Sequence, residues 1–380
     1  MRSELYQLPN RRQCSRLHAF EDLSKTAFLA TILVVEPYTT PTRMPRLPED
    51  AIWINPSDRD KPPAFENRVL LFDIWDYTCI NCLRTLPYLR EWYDRYQQLN
   101  FTMVGIHTPE FPFGKQPANV HRAIRRLGIR WPVVLDNDQS IWTAFANRYW
   151  PTKYLADRRG YLRYRHSGEG QYRAFESALQ EVLREDNEGL DLPEIMAPVR
   201  QEDQPAAVCL PTTPELQADS LGNPISLTQP GSRNRYTLPD DFKQGKFYLQ
   251  GEWQTIPHGH QLVSASGCIV LSYKAARCNA VLSAALDESG TEMPVENINL
   301  ELSLAGGQLP PESYGQDVLQ SEGQAMVRVD APRMYSLVQH DAVEAHILSL
   351  DIDKPGLEFY AFSFESCISG QKSPQSNEEG

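Results

Sequence analysis

Cys79 and Cys82 form a Cys-x-x-Cys pair at the point where an apolar segment, 69–75, gives way to a helical pattern. Two thiols at this spacing can form a reactive dithiol that exchanges with other disulfides. At a helix start, unpaired backbone N–H groups and the positive end of the helix dipole favour a thiolate. We therefore expect the pKa of Cys79 to lie below the value of about 8.5 for a free thiol, with Cys79 partly ionised at neutral pH.

A zinc site is the alternative reading of a Cys-x-x-Cys pair. Structural zinc usually has four ligands, which requires a second Cys-x-x-Cys or a His pair. No such partner follows Cys82 at a suitable spacing, and His258-Gly259-His260 lies in a different region of the chain. The sequence therefore favours redox chemistry and predicts no metal.

Asp73 lies six residues before Cys79, in the middle of the apolar segment. A lone carboxylate is costly to bury, and burial raises its pKa. A buried Asp73 would be a candidate proton acceptor for the second thiol, Cys82. The alternative is that Asp73 pairs with a nearby Lys or is exposed at a sheet edge.

Strands and helices alternate around this dithiol. Apolar residues at helical spacing (Leu83, Leu86, Leu89 and Tyr93) follow the pair directly, so the dithiol is expected at the start of a helix. The patterns predict strands at 69–75, 101–106, 131–135, 152–156 and 161–165, and helices at 83–98, 117–127, 138–147 and 171–184. Alternation of this kind implies an α/β domain with a mainly parallel central sheet.

The segment Asp73-Ile74-Trp75 resembles the strand end Asp-Phe-Trp that precedes the Cys-x-x-Cys of the thioredoxin superfamily. The segments 77–87, 105–110 and 147–151 resemble, in order and spacing, the thioredoxin-like part of DipZ-type thiol–disulfide interchange proteins, which is TlpA/ResA-like. The resemblance covers about 50–185. It implies a protein-disulfide oxidoreductase that works through a mixed disulfide, with the redox-active Cys79–Cys82 disulfide and no other cofactor.

The resemblance also implies roles for individual residues. Pro151 falls where thioredoxins carry a cis-proline, which would expose the backbone of Trp150 to substrate; the alternative is an ordinary strand-initiating proline. With Trp75, these residues are the predicted substrate-binding set. Glu110, in the segment that TlpA and ResA proteins insert, would tune the dithiol, unless it is a solvated loop acid.

Several residues depart from the family pattern. The spacer Ile80-Asn81 is not the Gly-Pro of ordinary thioredoxins, and Thr78 replaces their Trp, so the direction of electron flow stays open. Asp76 stands where peroxiredoxins carry Thr, which disfavours a peroxidase. The membrane-embedded electron-transfer domain of DipZ-type proteins is not recognisable, so we expect either a separate electron donor or a protein that works alone.

The second half of the chain has a different pattern. An acidic, Pro-rich stretch follows Glu185, and short alternating strands such as 298–304 and 346–352 then replace helical periodicity. These strands predict a β-sandwich, and the resemblance implies a jelly-roll of the carbohydrate-binding-module type. Six aromatic residues could stack on a sugar or could belong to the core: Tyr248, Trp253, Tyr273, Tyr314, Tyr335 and Tyr360. The rival function is thus a redox-sensing protein whose β-sandwich binds a carbohydrate or protein partner.

These patterns predict five segments. Residues 1–45 form a leader or disordered arm, 46–187 the thioredoxin-like domain, 188–229 a linker, 230–368 the β-sandwich and 369–380 a disordered tail.

The net charge of −12 argues against a nucleic-acid partner, and the longest apolar stretch, 27–35, is about half the length that spans a membrane. No clear cleavage site follows that stretch, which favours the cytoplasm, whereas the DipZ-type resemblance implies an extracytoplasmic location. The seven cysteines do not form a paired framework. Cys268 and Cys278 are expected to flank a turn near 274–277, and the spacing does not support a disulfide between them.

Overall fold

The computed structural model describes residues 35–55, 63–205, 207–219, 229–284 and 298–368. An α/β domain, which contains strands β1–β7 and helices α1–α4, is followed by an all-β domain, which contains strands β8–β20. No helix among these described residues is long and apolar enough to cross a membrane. The predicted tail, 369–380, lies outside the described residues.

The α/β domain is built on one mixed sheet. Among the described residues it has seven strands in the order β1-β7-β6-β3-β4-β5-β2. The strands are β1 (Glu36–Arg43), β2 (Trp53–Ile54), β3 (Val69–Trp75), β4 (Phe101–His107), β5 (Val133–Leu135), β6 (Thr152–Ala156) and β7 (Tyr161–Ser167). The helices are α1 (Ile80–Tyr96), α2 (Pro117–Arg126), α3 (Ser140–Ala144) and α4 (Tyr172–Arg184). Every strand and helix predicted for this part is present, with ends that differ by a few residues.

The prediction of a mainly parallel sheet is wrong. Only the pairs β3–β4 and β4–β5 are parallel among the described strands. β6 and β7 are joined by the short turn 157–160, in which Gly160 N–H donates to the Asp157 carbonyl at 2.9 Å and Gly160 has φ +79°. A connection this short can only reverse the chain, because parallel neighbours need a crossover of a dozen or more residues.

The segment 36–43, predicted as part of a leader or disordered arm, forms strand β1 and pairs with β7. Its side chains are mostly exposed, so no apolar alternation marks it as a strand. The pairing is carried by backbone hydrogen bonds and by an ion pair between Glu36 and Arg165. Residues 1–34 of the predicted leader lie outside the described residues.

Among the described residues, the all-β domain has one 11-stranded sheet and a separate two-stranded sheet. Its principal strands are β10 (Arg233–Tyr236), β11 (Lys246–Ile256), β12 (Gly259–Leu262), β13 (Gly267–Ala284), β14 (Ile298–Leu304), β16 (Val318–Ser321), β17 (Gln324–Val329), β18 (Arg333–Ile352) and β19 (Leu357–Glu365). Four two-residue strands complete the domain: β9 (Leu216–Gln217) and β15 (Gly307–Gln308) join the large sheet, and β8 (Val208–Cys209) and β20 (Cys367–Ile368) pair with each other. β11 pairs with β12 and β13, and β19 pairs with the same two strands, so these four close into a small barrel.

The turn predicted between Cys268 and Cys278 does not exist. Both cysteines lie on the continuous strand β13, whose pairing with β18 shifts register at a bulge between Ala275 and Arg277. Both are buried thiols, so the lack of a mutual disulfide agrees with the expectation. A disulfide does join Cys209 to Cys367, across a sequence separation of 158 residues, and ties β8 to β20.

The two domains pack together beside helix α1. Tyr360 of β19 contacts the rings of Phe111 and Phe113, at centroid distances of 5.2 and 4.9 Å. Arg84 lies on α1, and its guanidinium is 3.4 Å from the Glu365 carboxylate. The all-β domain therefore contacts both the helix that follows the predicted dithiol and the loop that follows β4.

Candidate active site

Cys79 occupies the cap position at the N-terminus of α1, as the sequence predicts. Its backbone is extended (φ −80°, ψ 114°), and its Sγ accepts a hydrogen bond from the Cys82 N–H at 3.2 Å. Cys79 is half-buried and Cys82 is buried, and both are free thiols. The more exposed sulfur is thus the one at the helix end, where a client disulfide can reach it.

The predicted fall in the pKa of Cys79 is wrong for this arrangement. Burial raises the pKa of Cys79, and the nearby carboxyl groups of Glu110 and Asp76 raise it further. Hydrogen bonds from Cys82 lower it, but they do not offset the loss of hydration. The pKa of Cys82 lies still higher, again because of burial and because Cys79 and Asp73 are close to it.

Asp73 lies on β3 and is only 2% exposed. Its Oδ1 atom has no hydrogen-bond partner, and burial raises the pKa of Asp73 to about 6, as the sequence argument predicts in direction. Lys153, which sequence reasoning did not single out, is its register partner on β6 and is also buried. The Lys153 charge lowers the pKa of Asp73, but burial has the larger effect. Asp73 is therefore neither exposed at a sheet edge nor neutralised by its lysine neighbour.

Asp76 organises the loop that leads into the dithiol. Its Oδ1 atom accepts hydrogen bonds from the N–H and the hydroxyl of Thr78, and its Oδ2 atom accepts from the Glu110 N–H at 3.0 Å. The buried His107 ring stacks on Tyr77, with its Nε2 atom 3.5 Å from Asp76 Oδ2. Burial lowers the pKa of His107, which keeps the ring neutral. Sequence reasoning missed these contacts, although the segment 105–110 was part of the resemblance.

The Trp150–Pro151 peptide bond is cis, as the resemblance implies. Trp150 is half-buried, and its indole N–H donates to the Thr108 carbonyl at 3.1 Å. Trp75 differs from the prediction, because it is 1% exposed and its ring packs against His107. The Trp75 side chain is therefore part of the core and cannot contact a client in this structure.

Glu110 lies beside the dithiol and touches the all-β domain. Its Oε1 atom accepts a hydrogen bond from the Gln217 amide at 2.8 Å. Burial, together with the neighbouring carboxyl groups of Glu215 and Asp76, raises the pKa of Glu110 to about 8. The alternative of a solvated loop acid is thus wrong. Among the residues that the structure describes, no group of three or more His, Cys, Asp or Glu side chains could hold a metal ion.

Comparisons with known proteins agree with this architecture. Residues 60–183 match the family described as "Redoxin", and residues 216–364 match the family described as "Thioredoxin like C-terminal domain". The "Protein DipZ" of Mycobacterium bovis is 31% identical over 230 residues, which are 59% of this chain and 32% of that protein. The "Thiol-disulfide oxidoreductase YkuV" of Bacillus subtilis is 28% identical over 143 residues, 37% of this chain and 95% of YkuV.

The matched region spans about a third of the length of the DipZ proteins. Among solved structures, the solution structure of a thioredoxin-like protein in its oxidised form is similar to this chain. It is 25% identical and covers 39% of this chain and 99% of its own length, with a TM-score of 0.35.

Proposed function

We propose that this protein exchanges its Cys79/Cys82 dithiol with protein disulfides. The chain joins a redoxin domain to a thioredoxin-like C-terminal domain. The observation that carries the proposal is a half-buried thiol at a helix N-terminus, hydrogen bonded to the amide of a second, buried thiol. A buried carboxylate, that of Asp73, whose Oδ1 atom has no hydrogen-bond partner, acts electrostatically on that second thiol. The relatives named as thiol–disulfide oxidoreductases support the same reaction class.

The reaction proceeds through a mixed disulfide. The Cys79 thiolate attacks one sulfur of a client disulfide, forms the Cys79–client bond and releases the other client sulfur as a thiolate, which takes up a proton. Cys82 then gives its proton to Asp73 and attacks Cys79 Sγ, which releases the second client thiol. Two electrons pass to the client and leave Cys79 and Cys82 as a disulfide. The same steps in reverse oxidise a client dithiol.

Asp73 suits the role of proton acceptor at neutral pH. With a pKa of about 6, it is mostly ionised at pH 7, and its free Oδ1 atom has an open acceptor site. A base whose pKa lies near the working pH is both ionised and able to take the proton.

We assign client binding to Trp150 and Pro151, with Glu110 as a tuning residue. A separate reductant or oxidant closes the cycle. Next to the dithiol, a groove of ≈ 410 Å³ between α1 and the all-β domain is lined by the apolar side chains of Ile80, Leu83 and Met334 together with charged side chains that include Arg84, Arg277 and Glu365. Its walls come from both domains, which suits a polypeptide client better than a small thiol.

Reduction of insulin disulfides tests the proposal. The parent protein should accelerate reduction by dithiothreitol, and a Cys79→Ser variant should lose the acceleration. Cys268→Ser, which removes a buried thiol of the all-β domain, is the matched control and should retain it. Equal activity in Cys79→Ser and the parent would refute the proposed reaction.

The alternative function is partner binding by the all-β domain, whose jelly-roll, carbohydrate-binding-module-like class stays a prediction. Four of the six aromatic residues that could stack on a sugar are buried, namely Trp253, Tyr273, Tyr335 and Tyr360. These four belong to the core, which leaves Tyr248 and Tyr314 as partly exposed rings. Because so few of these rings are exposed to stack on a sugar, we favour a protein partner over a carbohydrate. Saturable binding of the whole protein to a glycan array would reverse that preference.

A further inference from the structure

Gln217 of the all-β domain is the one described residue outside the α/β domain that hydrogen-bonds Glu110. Its Nε2 atom donates to Glu110 Oε1 at 2.8 Å, across a separation of 107 residues, and lies 3.2 Å from Glu215 Oε1. The bond is charge-assisted whenever Glu110 is ionised, and such bonds are the stronger kind.

The position of Gln217 is fixed by its sheet. Strand β9 pairs with β19, with Gln217 opposite Ala361. The adjacent Ala218 N–H donates to the Tyr360 carbonyl at 2.7 Å, and the Tyr360 ring contacts Phe111 and Phe113, which follow Glu110 in sequence. The same two strands thus anchor the loop that carries Glu110 and supply the amide that holds its carboxyl group.

Glu110 in turn acts on the dithiol. Its backbone N–H is bonded to Asp76, three residues before Cys79, and its carboxyl group raises the pKa of Cys79. A carboxylate close to a thiol disfavours the thiolate, which is the attacking species. The ionisation state of Glu110 therefore changes the reactivity of Cys79.

We propose that Gln217 is a positioning residue for the dithiol: it holds Glu110 beside Cys79, so that the docked all-β domain sets the reactivity of the attacking sulfur. This role deepens the proposed function and rests on it. Loss of the Gln217 amide removes a donor that stabilises the ionised form of Glu110. Glu110 then binds its proton more tightly.

The charged groups that face Glu110 come from both domains. Asp76 lies on the loop before α1, and Glu215 and Asp219 lie on the all-β domain. The Asp219 carboxylate is 2.9 Å from His258 Nδ1. All three carboxyl groups raise the proton affinity of Glu110, whereas Gln217 lowers it. Removal of this opposing contact should raise the proton affinity of Glu110 about tenfold, the size of one hydrogen bond to a charged group.

The test is the pH dependence of Cys79 alkylation by iodoacetamide, followed by mass spectrometry of the Cys79 peptide on the full-length reduced protein. The rate should rise with pH and should flatten near pH 8, where Glu110 ionises. In Gln217→Met, which keeps the side-chain length, the flattening should move up by about one pH unit, the same tenfold change. The same substitution at an exposed strand position, Gln320→Met, is the control and should leave the profile unchanged.

A double-mutant cycle makes the test specific. In a Glu110→Gln background, which lacks the ionising group, Gln217→Met should have no further effect on the profile. If Gln217→Met has the same pH profile as the parent, the proposal is overturned. It is also overturned if Gln217→Met shifts the profile by as much in the Glu110→Gln background as in the parent. Alkylation needs no disulfide exchange, so failure of this proposal is distinguishable from failure of the proposed function, which the insulin assay tests. If Gln217→Met fails to fold, Gln217→Leu gives the same comparison.

Discussion

Replacement of Asp73 by Asn should change how stability depends on pH. The pKa of Asp73 rises from 3.8 to about 6 because of burial, with a smaller opposing effect of Lys153. At about 1.36 kcal/mol for each pKa unit, this difference corresponds to about 3 kcal/mol. Since the folded protein holds the proton more tightly than the unfolded chain, the contribution is fully present below pH 3.8 and is lost as the pH rises through about 6.

Asp73→Asn keeps the shape of the side chain and removes the titration. The free energy of unfolding of the variant, relative to the parent, should therefore increase by about 2.4 kcal/mol between pH 4 and pH 7. Any pH-independent loss of stability that comes from leaving Lys153 without a charged neighbour is the same at both pH values, so it drops out of this difference.

Urea unfolding of the oxidised protein, followed by tryptophan fluorescence, measures this quantity. Of the tryptophans, only Trp253 lies beyond residue 150, so the signal reports mainly on the α/β domain. Oxidation of Cys79 and Cys82 removes the thiols from the titration. Asp50→Asn, at an exposed turn, controls for the change in net charge. Parallel pH profiles for Asp73→Asn and the parent would refute the view that Asp73 is a buried, high-pKa carboxyl group.

Three further predictions follow from the site and the domain contact. Because burial raises the pKa of Cys79, the insulin-reduction rate of the parent should still rise between pH 7 and pH 8, where ionisation of Glu110 begins to slow the increase; a plateau below pH 7 would contradict this. Leu83→Glu places a carboxylate among the apolar residues of the groove and should slow insulin reduction at least tenfold while leaving the reduction of a small aromatic disulfide within twofold; equal losses would contradict the role of the groove. The Cys209–Cys367 disulfide closes 158 residues, so the chain-entropy model gives about 5 kcal/mol as its largest stabilisation. Cys209→Ser should lower the calorimetric transition of the all-β domain, and an unchanged transition would contradict a stabilising role.

The sequence predicted the local features of the site well, because these depend on residues close together in the chain. The strand, the Cys-x-x-Cys pair and the helix after it are contiguous, and the strand's apolar run with Asp73 inside it is a direct sign of a buried carboxyl group. The cis bond before Pro151 came from the resemblance alone.

The features that the sequence did not predict depend on contacts between distant segments. Burial of Cys79 reverses the pKa expected from the helix terminus, and no local pattern reports it. The contact of Glu110 with Gln217 and the Cys209–Cys367 disulfide join residues more than 100 positions apart. In the all-β domain, the sequence near 274–277 predicts a turn, but these residues lie within the long strand β13, at a bulge in its pairing with β18.

The most direct test of the central claim is to trap the mixed disulfide. A Cys82→Ser variant cannot resolve the intermediate, so incubation with a disulfide-containing client such as insulin should give a covalent adduct on a non-reducing gel. Peptide mapping should place the client on Cys79, and a Cys79→Ser/Cys82→Ser double variant should give no adduct. Absence of an adduct in Cys82→Ser, or attachment of the client to Cys268 or Cys278, would contradict exchange at the Cys79/Cys82 dithiol.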